Sequence, residues 1–292
     1  MNSNTKYDRI DLNYLTNVKG FCLTLDLEQD YGDLFDKPHY DGLAHIPELI
    51  SFMQEINIPF TVFVQGCLFE MFPHVIEQLS KLDVEFELHS YSHARYKNTN
   101  ARYEIESGKK AYVKYFGKDP IGYRFPSGIF SNEDYSILAE NGFQFDSSVF
   151  PSVRPSAFNN LNMPIYPYYI KEYEIVELPF SVFSKYIRIP VALSYIKLLG
   201  WSYLELIKLS FLPEIIIFNF HIHDLFDLPL VSRFDKENFS VLNRIVFKRI
   251  YKQQRNDGFI LLKSIISNFR ERNYSFYKLN TIYDLVGKEI NK

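Results

Sequence analysis

The chain has 292 residues, of which 47% are hydrophobic and 23% are charged, and this composition excludes wholesale disorder. Its net charge of −3 provides no general positive field, so no nucleic-acid partner is expected. Two cysteines cannot form a disulfide framework, and no continuous apolar run predicts a transmembrane segment. The first residues lack the apolar core of a secretory signal, and we therefore expect a cytoplasmic protein.

Short apolar runs alternate with helical patterns along the chain. Seven runs predict strands, over Gly20–Leu25, Pro59–Val64, Val84–Leu88, Ile121–Tyr123, Gly142–Phe145, Glu174–Leu178 and Ile215–Phe220. Helical patterns cover Leu43–Glu55, Pro73–Lys81, Asn100–Phe116, Asn132–Asn141, Val191–Ser210 and Asp257–Arg272. This alternation predicts an α/β protein with a parallel sheet. Because no linker divides the chain, we expect a single domain over 1–292, with its core at about 20–285, folded as a distorted (β/α) barrel of about seven parallel strands.

Polar residues follow the predicted strands with unusual regularity. Asp26, His89, Arg124, Asp146 and His221 each stand where an apolar run ends. In a (β/α) barrel the C-terminal ends of the strands meet at one face, and functional groups lie there. The sequence therefore predicts an active site built from these strand ends.

Two short segments have the residue types of a metal site. Asp26, Glu28 and Asp30 alternate, so in an extended chain their carboxylates share one face and repel one another unless a cation or proton compensates. On spacing alone a solvated acidic loop explains them equally well. His89 and His93 are four residues apart and would meet on one side of a helical turn. Two imidazoles and one carboxylate form the ligand set of hydrolytic zinc and related divalent sites.

Several segments, in this order along the chain, resemble the polysaccharide deacetylase superfamily of carbohydrate esterases. They include LTLDLEQDYG at 23–32, HSYSH at 89–93, GYRFPSGIFS at 122–131 and FNFHIHDL at 218–225. The first segment is similar to the branch of the family with a D-x-E-x-D motif. The resemblance covers nearly the whole chain and implies metal-dependent removal of an N-acyl group from a sugar.

The resemblance also implies a role for each residue at a matching motif position. Asp26 would be the general base and His221 the general acid. Arg124 would orient Asp26 and balance its charge. His89 and His93 would be ligands of one divalent metal ion. We expect zinc, with cobalt, nickel, iron and manganese also compatible with such ligands.

Two positions stay open at this point. Leu27 stands where the common family pattern has a metal-binding Asp. Glu28 is our choice for the third ligand because it shares a strand face with Asp26, and Asp30 is the alternative. His223 is the alternative to His221 as the acid, although His221 ends the apolar strand.

Three functions are compatible with these residues. The first is removal of an N-acetyl group from an N-acetylated sugar or saccharide precursor. The second is deformylation, or hydrolysis of another C–N amide, on a small or a nucleotide- or lipid-linked formamido sugar. The third is a non-catalytic carbohydrate-binding protein on the same fold. In addition, the basic, amphipathic segment Asn243–Arg255 indicates a solvated helix face or, alternatively, contact with a phosphate-bearing or membrane-linked substrate.

Overall fold

The computed structural model describes residues 8–9, 19–32, 34–94, 100–155, 157–210, 212–235, 239–253 and 257–290, so Arg255 lies outside the described residues. The strands are β1 Asp8–Arg9, β2 Gly20–Leu27, β3 Phe60–Val64, β4 Val84–Leu88, β5 Gly122–Tyr123, β6 Phe145–Asp146, β7 Val153–Arg154, β8 Phe158–Asn159, β9 Tyr168–Ile170, β10 Ile175–Glu177, β11 Ile215–His221 and β12 Ser275–Phe276. The α-helices are α1 Ile46–Ile56, α2 Leu68–Met71, α3 Pro73–Leu79, α4 Ala101–Phe116, α5 Asn132–Glu140, α6 Leu193–Leu199, α7 Trp201–Leu209, α8 Val241–Tyr251, α9 Gly258–Glu271 and α10 Leu279–Ile290.

One mainly parallel sheet organises the fold. Its parallel strands follow the order β11-β2-β3-β4-β5-β6-β10, so the predicted α/β architecture with about seven parallel strands is confirmed. β9 and β1 extend the sheet antiparallel beyond β10, and β12 pairs with β2. No ladder joins β10 to β11 among the described strands. Instead, Ser181 donates its N–H to the Ile217 carbonyl at 3.2 Å, and its hydroxyl accepts the Ile217 N–H at 2.9 Å.

Both faces of the central strands are buried, which is typical of a parallel sheet covered by helices. Along β2, Leu23 and Leu25 pack into the larger apolar core, and Cys22 belongs to a second core on the other face. α10 contributes Leu279 and Ile282 to this second core. On this face α10 therefore meets an apolar core together with the polar side chains Thr61, Glu85 and Glu87, and further polar groups lie at the C-terminal strand ends.

Two local predictions were wrong. The single helix expected over Val191–Ser210 is divided into α6 and α7 at Gly200, whose φ of 78° suits glycine and interrupts the helix. The HSYSH segment does not form a helical turn, because Ser90 and His93 each have a φ of 55°. The two histidines are instead presented by an irregular turn.

Within the described ranges, no helix is both long enough and apolar enough to cross a membrane.

Candidate active site

The site begins with the register between two neighbouring strands. β2 and β11 pair in parallel so that Asp26 stands beside His221 and Thr24 beside Asn219. Residues 195 positions apart in the chain thereby meet at one end of the sheet. Asp26 and His221 were both predicted at this place, because each stands where an apolar run ends.

Arg124 and Asn219 hold the Asp26 carboxylate from two sides. The Arg124 Nη1 donates to Asp26 Oδ1 at 2.7 Å, and the Asn219 Nδ2 donates to Asp26 Oδ2 at 3.0 Å. The guanidinium lies between the rings of Phe63 and Phe180, 4.0 and 4.4 Å from their centroids. Because this packing fixes the guanidinium, the orientation of Asp26 is fixed as well.

The charge of Asp26 follows from its neighbours. Burial alone would raise the pKa of this carboxyl, but its electrostatic interactions with Arg124, His89 and His221 outweigh burial and lower it. Asp26 is therefore an ionised carboxylate at neutral pH, with its Oδ2 3.6 Å from His221 Nε2.

Glu28 joins the two histidines of the HSYSH turn. Its Oε2 lies 2.9 Å from His89 Nε2 and 2.6 Å from His93 Nε2. Burial would raise the pKa of Glu28, but the charge of His93 and the hydrogen bonds with both imidazoles hold it well below its usual range. The structure therefore brings together the three side chains that were predicted as metal ligands, all of them buried.

The hydrogen bonds around His89 indicate how this cluster suits a cation. His89 Nδ1 lies 2.8 Å from the Arg124 carbonyl oxygen, which can only accept, so Nδ1 carries a proton. In the neutral ring the lone pair of Nε2 then points at the Glu28 carboxylate, and a proton or a cation between them removes this repulsion. Two imidazole nitrogens and one carboxylate oxygen fit a divalent ion such as zinc.

Asp30 is not part of this cluster. β2 ends at Leu27, and the chain then turns, with Tyr31 at a φ of 63°. Both carboxylate oxygens of Asp30 accept the Gly42 N–H at 3.1 Å, and burial raises the pKa of Asp30 to about 7. The alternation that the sequence predicted for three acids thus holds for Asp26 and Glu28 but does not extend to Asp30.

His221 and His223 have different surroundings although their rings stack at 4.7 Å. His221 Nδ1 lies 3.2 Å from Asp224 Oδ2, and its Nε2 lies 3.8 Å from Glu28 Oε1. His223 Nδ1 accepts the backbone N–H of Tyr31 at 3.0 Å. His221 therefore directs a nitrogen toward the acidic groups, and His223 contributes to the wall of the site. Glu28, His221 and His223 form a second group that could hold a metal.

The pKa values of the two imidazoles diverge because their neighbours differ. Burial would lower the pKa of His221, but the hydrogen bond with Asp224 and the charges of Glu28, Asp224 and Asp26 raise it to about 9. Burial and the adjacent His221 charge lower the pKa of His223 to about 3. His221 thus carries a proton at neutral pH, and His223 is neutral.

Asp146 also lies at its strand end, but it belongs to a separate network. Ser148 donates its hydroxyl to Asp146 Oδ1 at 2.6 Å, and the neighbouring Glu177 accepts the Val149 N–H at 2.9 Å. Burial raises the pKa of Asp146 to about 6 and raises that of Glu177 as well. This carboxyl pair therefore supports the strand ends without joining the histidine cluster.

Sequence reasoning missed three residues that shape the site. Asn219 was detectable as the one amide in the buried run IIIFNFH, two positions before His221. Asp224 follows the two histidines directly. Glu104 on α4 had no local signal, yet its carboxylate accepts the N–H groups of Tyr91 and Ser92 at 2.9 and 2.7 Å and so shapes the HSYSH turn.

The fold and the site together define a mainly parallel α/β protein whose strand ends carry a possible His–His–Glu metal centre. Residues 34–145 match the family model of polysaccharide deacetylases, which confirms the resemblance that the motifs predicted. His89, His93 and Arg124 lie inside the matched range, whereas the acids of the first motif lie outside it. The assignment to a branch with a D-x-E-x-D motif stays a prediction.

Solved structures show the same fold at low sequence identity. A Mycobacterium smegmatis protein assigned to the polysaccharide deacetylases is 18% identical, with a TM-score of 0.61 over 92% of this chain and 90% of its own. A Pseudomonas aeruginosa protein with the same assignment is 14% identical, with a TM-score of 0.60 over 92% and 91%. A Bacillus anthracis pseudoenzyme of carbohydrate esterase family 4 is 12% identical, with a TM-score of 0.51 over 92% and 66%. No curated protein matches the sequence.

Proposed function

We propose that this protein is a metal-dependent carbohydrate N-deacetylase that removes an acetyl group from an N-acetylated sugar or saccharide precursor. The observation that carries the proposal is the meeting of an ionised Asp26 and a protonated His221 beside the Glu28, His89 and His93 cluster. Hydrolysis of an amide needs a base, an acid and electrophilic assistance in one place. The family match to polysaccharide deacetylases supports the same reaction class.

The metal ligands and the base share the first half of the reaction. Glu28, His89 and His93 would hold the ion, which when bound supplies a Lewis acid for the acyl carbonyl and for water. Asp26 accepts the proton of the attacking water through Oδ2, the oxygen that faces His221. Its other oxygen is occupied by Arg124, which keeps the carboxylate ionised until the proton arrives.

His221 completes the second half. An amide anion is not a viable leaving group, so the nitrogen must be protonated as the C–N bond breaks. His221 Nε2 lies between the Asp26 and Glu28 carboxylates, at 3.6 and 3.8 Å, and can donate this proton. Asp224 accepts from Nδ1 at 3.2 Å and thereby holds the ring with Nε2 directed into the site.

The test is an assay for acyl release with the purified protein, combined with metal analysis. We expect acetate from an N-acetylated sugar within a panel of N-acetyl and N-formyl sugars, loss of activity with a chelator, and recovery with zinc. Asp26→Asn and His221→Ala should each lower turnover by about 10²- to 10⁴-fold with unchanged circular dichroism. His74→Ala, at an exposed position of α3, is the matched control and should act like the wild type.

Different results would redirect or overturn the proposal. Release of formate alone would assign the deformylase function. Sugar binding without acyl release, in a protein that retains zinc, would assign the non-catalytic function that the related pseudoenzyme fold allows. Wild-type turnover in Asp26→Asn or His221→Ala would remove these residues from the reaction.

A further inference from the structure

Helix α8 exposes apolar side chains on its outer side. None of its 11 residues is buried, and Val241, Leu242 and Ile245 are 65%, 69% and 59% exposed. With 3.6 residues per turn, these three residues and Arg249 fall within an arc of about 100°. A surface helix normally directs its polar side outward. Here the apolar arc points to solvent.

The inner side of α8 is attached to the rest of the molecule. The Phe247 ring packs against Phe239 at 5.2 Å between centroids. The Tyr251 ring packs against Tyr31 at 4.8 Å and against His223 at 5.3 Å. The exposed arc is therefore the outer side of a docked helix, and the C-terminal end of this helix lies beside the candidate active site.

The charged residues of α8 and its ends are all basic. Residues 239–253 contain Arg244, Lys248, Arg249 and Lys252 and no Asp or Glu. Arg249 also reaches the corner between α6 and α7, because a Cβ placed on Gly200 would lie 3.6 Å from its Nη2. The apolar arc is thus connected through Arg249 to a second exposed apolar surface.

That second surface adds a residue type suited to a lipid interface. Leu199 and Trp201, on either side of Gly200, are 41% and 46% exposed. Trp side chains are enriched where an apolar phase meets water, because the indole ring is apolar and its N–H is polar.

We propose that Leu199, Trp201, Val241, Leu242, Ile245 and Arg249, here called the α8 face, dock the protein on an anionic lipid bilayer. The apolar side chains would enter the boundary between headgroups and acyl chains, and the basic residues would contact lipid phosphates. A second copy of the chain is a poorer partner. A two-fold interface on this face would place two copies of the same basic face against each other, and the like charges would oppose that contact.

Docking of the α8 face on a bilayer does not depend on catalysis. Because Tyr251 packs against His223, a bilayer on the α8 face would lie near the mouth of the site. A saccharide attached to a lipid could then reach the site without leaving the membrane surface.

The test is sedimentation of the full-length protein with vesicles of phosphatidylcholine and phosphatidylglycerol, compared with phosphatidylcholine alone. The wild type should bind the anionic vesicles, and high salt should weaken this binding. Leu242→Glu/Ile245→Glu should lower the partition coefficient by about 100-fold, and Arg249→Glu by about fivefold or more. Met71→Glu, at an apolar position of α2 that is 55% exposed, is the matched control and should bind like the wild type.

Three results would overturn the proposal. The wild type could fail to bind anionic vesicles, or Leu242→Glu/Ile245→Glu could bind them as well as Met71→Glu does. Light scattering could also show a dimer that Leu242→Glu/Ile245→Glu dissociates, which would assign the α8 face to a contact between copies. Circular dichroism and urea unfolding establish that each variant is folded, so a loss of binding reports on the surface itself.

Discussion

Two groups of buried carboxylates in the same sheet have opposite pKa shifts. Asp26 and Glu28 lie at the C-terminal end of β2, and Glu85 and Glu87 lie on β4 near the start of α10. Burial raises the pKa in all four. In Asp26 and Glu28 positive neighbours reverse the effect and the pKa falls, whereas in Glu85 and Glu87 it stays raised.

The opposite pKa shifts arise from the hydrogen-bond donors that surround each carboxylate. Asp26 receives a charged hydrogen bond from Arg124 at 2.7 Å. The hydrogen-bond donors to Glu87 are neutral: the Gly122 N–H at 2.6 Å, the Ile121 N–H at 3.1 Å and the Asn280 Nδ2 at 3.0 Å. Burial, followed by the adjacent Glu85 charge, raises the pKa of Glu87 to about 8. A buried carboxylate can therefore serve as a base at neutral pH only where the fold supplies a cation.

Removal of the Arg124 charge should have the largest effect on stability. In Arg124→Met, Asp26 would become a buried charge without its ion-pair partner, and we expect a loss of about 3–5 kcal/mol in the free energy of unfolding at pH 7. Because the pKa of Asp26 then rises, the deficit should shrink as the pH falls and the carboxyl gains a proton. Urea unfolding between pH 4 and pH 8 measures both effects.

Two further variants sharpen this prediction. Arg102→Met removes a solvent-exposed arginine that is paired with Glu106 and Glu140, and it should cost much less stability than Arg124→Met because solvent screens such pairs. Adding Asp26→Asn to Arg124→Met should recover part of the loss, because the unpaired charge is gone. A deficit in Arg124→Met that is independent of pH, with no recovery in the double variant, would mean that lost packing against Phe63 and Phe180 dominates.

Local sequence patterns were sufficient for the seven parallel strands and for placing four ionisable residues at one end of the sheet. The C-terminal ends of parallel strands lie at one edge of the sheet. A polar residue that directly follows an apolar run is therefore expected at that edge. This is why Asp26, His89, Arg124 and His221 could be placed near one another. The rule depends only on residues close in sequence, and it holds because both faces of the sheet are buried.

Contacts between distant residues set the rest of the site. The HSYSH turn depends on Glu104, which reaches it from α4, and a four-residue spacing alone suggested a helical turn. Asp146 obeys the strand-end rule but pairs with Glu177 of the adjacent strand, which only the register between strands reveals. Likewise, only the turn after Leu27 separates Glu28 from Asp30.

Loss of the neutral donor to Asp26 should have a smaller effect than loss of Arg124. Asn219→Ala removes a hydrogen bond to a buried carboxylate, and we expect a loss of about 1.5–3 kcal/mol in the free energy of unfolding. It should also raise the pKa of Asp26 and move the acidic limb of kcat/KM to higher pH. Asn162→Ala, at an exposed position, is the control. An unchanged acidic limb together with wild-type stability would exclude Asn219 from the support of the base.

The last prediction concerns Glu87, whose hydrogen-bond donors are all neutral. Glu87 has a raised pKa, so its protonated form stabilises the folded protein fully below pH 4.5 and this contribution is lost as the pH rises through about 8. The wild type should lose about 1.4 kcal/mol per pH unit from this residue inside that window. Glu87→Gln, which cannot ionise, should reduce the slope by that amount while leaving stability near pH 5 close to the wild type.

An exposed glutamate is the control for Glu87→Gln. Glu48→Gln, on the surface of α1, should leave the pH dependence of urea unfolding unchanged. If Glu87→Gln also left it unchanged, Glu87 would have to be ionised in the folded protein, and neutral donors alone would then be able to stabilise a buried carboxylate in this sheet. In that case Arg124 would not be needed to keep Asp26 charged, and its role would reduce to orienting the base. The slope at Glu87 therefore tests, at a second buried carboxylate of the same sheet, whether a neighbouring cation is needed to keep Asp26 ionised.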